Sequence, residues 1–144
     1  MRMRAAYFIT DDSVTLKLLF ESIKRVPDCI DIQFNNKLIT LEIIKPEGEY
    51  EFLKIEEETR ESLLDEWYEN DAIFERHLNN PLIPGQTRPF YLTFSHLIQE
   101  SKLLYYVTQS LIADSSIKFI IFDCMIQLYQ PSEFLERLKR YQRD

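Results

Sequence analysis

The stretch Ile30-Asp31-Ile32-Gln33-Phe34-Asn35-Asn36-Lys37-Leu38-Ile39-Thr40-Leu41-Glu42-Ile43 decides the fold. On both sides of Asn35-Asn36, apolar residues alternate with polar ones, the period of a half-buried β-strand. Asn tolerates positive φ, so Asn35-Asn36 is predicted to form the two-residue type I′ turn of a hairpin. That turn pairs Phe34 with Lys37, Ile32 with Ile39 and Ile30 with Leu41. The apolar residues of both strands then share one face, with Asp31, Gln33, Thr40 and Glu42 on the other.

Downstream, Pro46-Glu47-Gly48-Glu49 reads as a second turn and Tyr50 to Ile55 as a third strand of a meander. From Glu57 to about Leu78 the signal becomes helical. Leu63, Leu64, Trp67, Phe74 and Leu78 make its apolar stripe, while Glu58, Glu61, Asp65 and Glu69 line a solvent ridge. Asn70-Asp71 interrupts this pattern, and Asn79 to Pro89 is an irregular connection with a Pro84-Gly85 turn. Phe90 to Phe94 is a strand, and Ser95 is placed to cap a helix from His96 to about Ala113. Ile117 to Tyr129 reads as one long strand whose run Phe119 to Phe122 implies burial on both faces, in the middle of the sheet. Ser132 to Tyr141 closes the chain's pattern as a helix, with Phe134, Leu135, Leu138 and Tyr141 inward.

Upstream of the hairpin, Ala5 to Thr10 is a short strand running into Asp11-Asp12-Ser13, a cluster of helix N-cap residues. Leu16, Leu19, Phe20 and Ile23 then repeat on one helical face, and Pro27 ends the helix after Lys24 and Arg25. The portions from Tyr7 to Phe34 and from Tyr91 to Phe122 share a strand, helix, strand outline, as two βαβ-like units would. The expected fold is therefore α+β (or α/β). A single layer of five to six mixed, partly antiparallel strands is packed by three to four helices, as one domain over residues 1–144.

Composition agrees with an ordered chain. Of the 144 residues 45% are hydrophobic and 13% aromatic, enough to build a core without staples. The two cysteines, Cys29 and Cys124, fall in apolar strands and read as buried thiols of a reducing compartment, although the sequence leaves their pairing open. No apolar run approaches the ~20 residues of a membrane helix, and the basic start Met1-Arg2-Met3-Arg4 is not followed by a signal-type apolar segment. The expected compartment is the cytoplasm, with no membrane partner.

Charge is distributed far from evenly. Half of the 24 Asp and Glu residues lie between Glu47 and Glu75, against only Lys54 and Arg60, in a chain of net charge −7. Such a band repels nucleic acid and attracts basic partners over about a Debye length. The one basic cluster, Arg137, Lys139, Arg140 and Arg143, suits the C-terminal end of the last helix and needs no nucleic acid to explain it.

Catalytic and cofactor motifs are missing from the same chain. With Gly48 and Gly85 as its two glycines it has no Walker or dinucleotide loop, and no Gly-x-Ser-x-Gly elbow. His77 and His96 are the only histidines, and neither Cys-x-x-Cys nor His-Glu-x-x-His occurs, so no cofactor or metal is expected. Glu75 and His77 are two apart and point to different sides of a helix. Cys29 and Cys124 lack the exposed helix start that would activate a thiol.

Two functional readings remain. The first is a non-enzymatic acidic protein-binding module. Its 57–75 helix would dock a basic protein through Glu58, Glu61, Asp65, Tyr68 and Glu69, with Tyr68 as aromatic anchor. Inhibitors and immunity proteins that cover a positively charged site offer an analogy of charge and size. The second is a small enzyme or ligand-binding domain with a pocket at strand ends near Asp11, Asp12, His96 and Asp123. An apolar hairpin edge would also suit a homodimer.

Overall fold

The computed structural model describes residues 5–11, 13–23, 30–44, 50–58, 87–97, 100–122 and 128–141. Their strands are β1 (Ala5–Asp11), β2 (Asp31–Phe34), β3 (Leu38–Ile44), β4 (Tyr50–Glu57), β5 (Thr87–Phe94), β6 (Phe119–Phe122) and β7 (Leu128–Tyr129). Their helices are α1 (Leu16–Ile23), α2 (Lys102–Ala113) and α3 (Pro131–Tyr141). All seven strands form one sheet in the order β2-β3-β4-β5-β1-β6-β7, and every neighbouring pair is antiparallel. The α+β class holds, but the sheet has seven strands rather than five to six, and its pairing is antiparallel throughout rather than mixed.

The extra strand comes from the region read as one long strand. β6 stops at Phe122 and β7 returns antiparallel to it, with Phe122 opposite Leu128. An unbroken apolar run is common to a buried strand and to a buried turn-back, so hydrophobicity alone does not mark the reversal. The outline read as paired βαβ units also resolves differently. β5 and β6 run parallel to each other but are separated by β1, which pairs antiparallel with both.

The hairpin at β2 and β3 forms with its turn one residue later than expected. Phe34 pairs with Ile39 and Ile32 with Leu41, so Asn36-Lys37 occupies the tip. Asn36 takes φ 78°, the left-handed region that an Asn side chain tolerates. Asn35 fixes the tip through its Oδ1, which accepts from the amides of Lys37 at 3.2 Å and Leu38 at 3.0 Å. Moving a turn by one residue shifts the partner by two, which preserves parity. Ile30, Ile39, Leu41 and Ile43 therefore stay buried on one face while Asp31, Gln33, Thr40 and Glu42 keep the other.

All three helices cover that first face. α1 lies against α2 and α2 against α3, and together they close over Ala6, Phe8, Ile39, Leu41, Leu53, Ile55, Phe90, Leu92 and Ile121. α1 contributes Leu16, Leu19 and Ile23, with Phe20 stacked on Phe34 at 5.1 Å between ring centroids. Its cap is Thr15, whose Oγ1 accepts from the Leu18 amide at 3.1 Å, rather than the Asp12-Ser13 pair expected from sequence. α2 contributes Leu103, Leu104, Val107 and Leu111 and begins at Lys102 rather than His96. α3 contributes Phe134 and Leu138, and Pro131 sits in its first turn, where a missing amide proton costs nothing.

The second face divides in two. Over β1 and β6 it is apolar and buried, with Tyr7, Ile9, Ile120 and Phe122. Over β2, β3 and β4 it is open and largely polar, carrying exposed Asp31, Gln33, Lys54 and Glu56. No helix among the described residues is long and apolar enough to cross a membrane.

Candidate functional site

The residues singled out in the sequence are distributed over both ends of the sheet. β1 and β5 run antiparallel from Asp11 opposite Thr87 to Ala5 opposite Thr93, and His96 lies beyond Thr93. Six strand residues at ~3.3 Å each put Asp11 and His96 about 20 Å or more apart along the sheet. The two do not share a pocket. Asp12 and Asp123 lie outside the described residues, as do Cys29, Cys124 and His77.

At the Asp11 end the contacts organise a turn. Asp11 Oδ1 accepts from the Ser13 amide at 2.9 Å and from the Ser13 hydroxyl. These two bonds, helped by the charge of Lys118 and opposed by partial burial, hold its carboxyl below the ordinary range. Arg88 ties the neighbouring chain segments together, donating to the Val14 carbonyl at 3.0 Å and pairing with Glu57 at 3.1 Å.

At the His96 end, Ser95 and Glu51 are both committed to the backbone. Ser95 Oγ accepts from the Phe52 amide at 3.0 Å and lies 2.7 Å from Nδ1 of His96. Glu51 is buried, and its Oε2 accepts from the Ser101 hydroxyl at 3.1 Å and from the Leu103 amide at 2.9 Å. Ser101 Oγ in turn accepts from the Leu104 amide at 3.1 Å, so a strand carboxylate and a cap serine together satisfy the first turn of α2. Ser95 with His96, and Glu51 with Ser101, are thus two separate pairs, the first bonded to the β4 backbone and the second to the start of α2.

Of the five residues proposed to meet a partner, the described chain includes Glu58, while Glu61, Asp65, Tyr68 and Glu69 lie outside it. Glu58 is half-buried and extends the β4 ladder, its amide donating to the Pro89 carbonyl at 3.0 Å, so at Glu57 and Glu58 the chain is extended and not the start of the helix expected from Glu57. Glu56 and Glu57 beside it are exposed. Among the described residues no group of three or more His, Cys, Asp or Glu side chains could hold a metal ion.

The open half of the second face holds a group that the sequence reading passed over. Ile44 is 75% exposed and sits opposite Tyr50, which is 48% exposed. Next to them Glu42 opposes Phe52, and Lys54 places its Nζ 5.3 Å from the Phe52 ring. Partial desolvation, and the Glu42 carboxylate that accepts its hydrogen bond, push the Tyr50 phenol above its ordinary range. Glu42 also stands directly opposite Asp31 across β2 and β3. The signal was present in the alternation: Leu53 and Ile55 face the core, so Tyr50 and Phe52, at even positions, must face outward.

Comparison with known proteins gives no match to a protein-family model, to a curated protein or to a solved structure.

Proposed function

We propose that this chain is a non-enzymatic protein-binding module, working in the cytoplasm, whose acidic surface docks a basic protein partner. The observation that carries the reading is the charge distribution: half of the 24 acidic residues fall between Glu47 and Glu75, and of these Glu51 is buried at the start of α2 and adds nothing to the surface. Exposed Glu56 and Glu57 are its members at the end of β4, and Glu58 follows them. Glu61, Asp65, Tyr68 and Glu69 complete the proposed contact set, with the carboxylates steering the encounter and the aromatic ring anchoring it. Proteins that neutralise a toxin or an enzyme by covering its cationic site act in this way.

Electrostatic steering makes association fast and sensitive to salt. Reversing Glu58, Glu61, Asp65 and Glu69 to lysine is expected to slow association with a cationic partner about tenfold or more at ~20 mM salt. The difference should shrink at ~200 mM salt, as screening removes it. Stopped-flow rates at the two concentrations test this, and an unchanged rate at low salt refutes the mechanism.

A further inference from the structure

The outward side of the β3–β4 hairpin combines two features that a solvent-facing sheet surface normally avoids. One is the exposed apolar cross-strand pair Ile44–Tyr50, continued by Phe52. Large apolar side chains grouped on an open face mark a contact surface more often than scattered ones do. The other is the like-charge pair Asp31 and Glu42, placed directly opposite each other on neighbouring strands. Facing carboxylates at that spacing repel. Asp31 Oδ2 has only the distant Gln33 amide at 3.4 Å, Glu42 takes the Tyr50 hydroxyl, and neither is ion-paired among the described residues.

We propose that this face is a docking surface for a basic amphipathic helix of a partner protein, whose guanidinium or ammonium group bridges Asp31 and Glu42. The apolar side of that helix lies on Ile44, Tyr50 and Phe52. The inference deepens the reading of the chain as a binder of basic partners and rests on it. Charge selects this occupant over the others. Outward-facing Asp31, Glu42 and Glu56 are opposed by Lys54, which is already placed over the Phe52 ring. A second copy would set carboxylates against carboxylates, and a nucleic acid would set phosphates against them. A cationic side chain removes the repulsion between Asp31 and Glu42 on binding. The sheet's other face shows the packing mode, since α1, α2 and α3 lie on it in the same manner.

The test uses the whole chain and a designed helical peptide with Leu along one face and Arg bordering it. Two control peptides replace every Leu by Ser or every Arg by Glu. The Leu/Arg peptide is expected to shift the amide resonances of Glu42, Ile44, Tyr50 and Phe52 saturably. The double variant Ile44→Ser, Tyr50→Ala should weaken it about tenfold or more. Asp31→Asn should weaken binding several-fold while raising the melting temperature of the free protein by about 1–2 °C, because it removes the repulsive pair. Opposite signs on affinity and stability separate a binding role from a structural one. Binding of the Arg→Glu control as tightly as the parent peptide, concentration-dependent dimerisation through this face, or unchanged affinity in the double variant would each overturn the docking surface. If the Leu→Ser control gives no salt-dependent shift anywhere on the chain, the parent reading of a basic-partner module falls as well. A shift of that control, with the Leu/Arg peptide unaffected by the double variant, removes the surface and leaves the parent reading standing.

Discussion

The buried carboxylate of Glu51 accepts from two donors at the start of α2, the Ser101 hydroxyl and the Leu103 amide. Burying a charge is costly unless hydrogen bonds and a favourable dipole receive it, and a helix N-terminus supplies both. Glu51→Ala is expected to cost about 1–3 kcal/mol, because the Leu103 amide then loses its acceptor. Glu51→Gln keeps an acceptor oxygen and should cost less; urea unfolding of the two variants gives the order. Asp11 makes the opposite kind of site, half exposed and bound to Ser13. Its folded pKa is depressed, so its stabilisation is present at neutral pH and is lost as pH falls through that lowered value. Asp11→Asn should therefore cost up to about 1 kcal/mol near pH 7 and almost nothing near pH 2. Equal costs at both pH values would show that the charge contributes nothing there.

Among the elements, the β2–β3 hairpin shows how far pattern alone reaches. Alternation assigns each side chain of Ile30 to Ile43 to its face, and the structure keeps every assignment. The turn position was not legible because Asn35-Asn36 and Asn36-Lys37 both offer an Asn for positive φ. What decides is the Asn35 side chain, which gathers the amides of Lys37 and Leu38 and places Asn36 at the tip. Asn36→Ala is expected to destabilise by about 1 kcal/mol, whereas Asn36→Gly should be neutral or slightly stabilising, as thermal unfolding can show. The α2 start was misplaced for a related reason. Ser95 and Ser101 are equally good cap residues in sequence, and only the strand pairing reveals that Ser95 is held by Phe52 while Glu51 reaches Ser101. The aromatic and carboxylate group at the open face was written in the period-two pattern of β4. Its opposition to Asp31, by contrast, needed the observed register.

At the scale of the whole molecule, the described residues place three helices over a continuous core on one face of the sheet, while the other face is buried over β1 and β6 and open over β2, β3 and β4. Strand order brings exposed charge and exposed apolar groups together on β2, β3 and β4. The same order sets a timetable. β1 sits between β5 and β6, and the Thr10 hydroxyl reaches the Arg88 carbonyl across 78 residues of chain. β2, β3 and β4 close through short connections, whereas β1 must wait for strands far along the polypeptide, and such distant closures are entropically slow. The meander is thus expected to assemble first and β1 to be threaded into place last. Ile39→Val should accordingly slow folding, while Ile9→Val, equally buried, should mainly hasten unfolding. Stopped-flow chevrons with the reverse pattern would mean that the long-range seam nucleates the fold. On the expected timetable, an interrupted or nascent chain presents the β2–β4 ribbon long before its core is sealed. A partner that recognises that ribbon could then engage the chain during its synthesis.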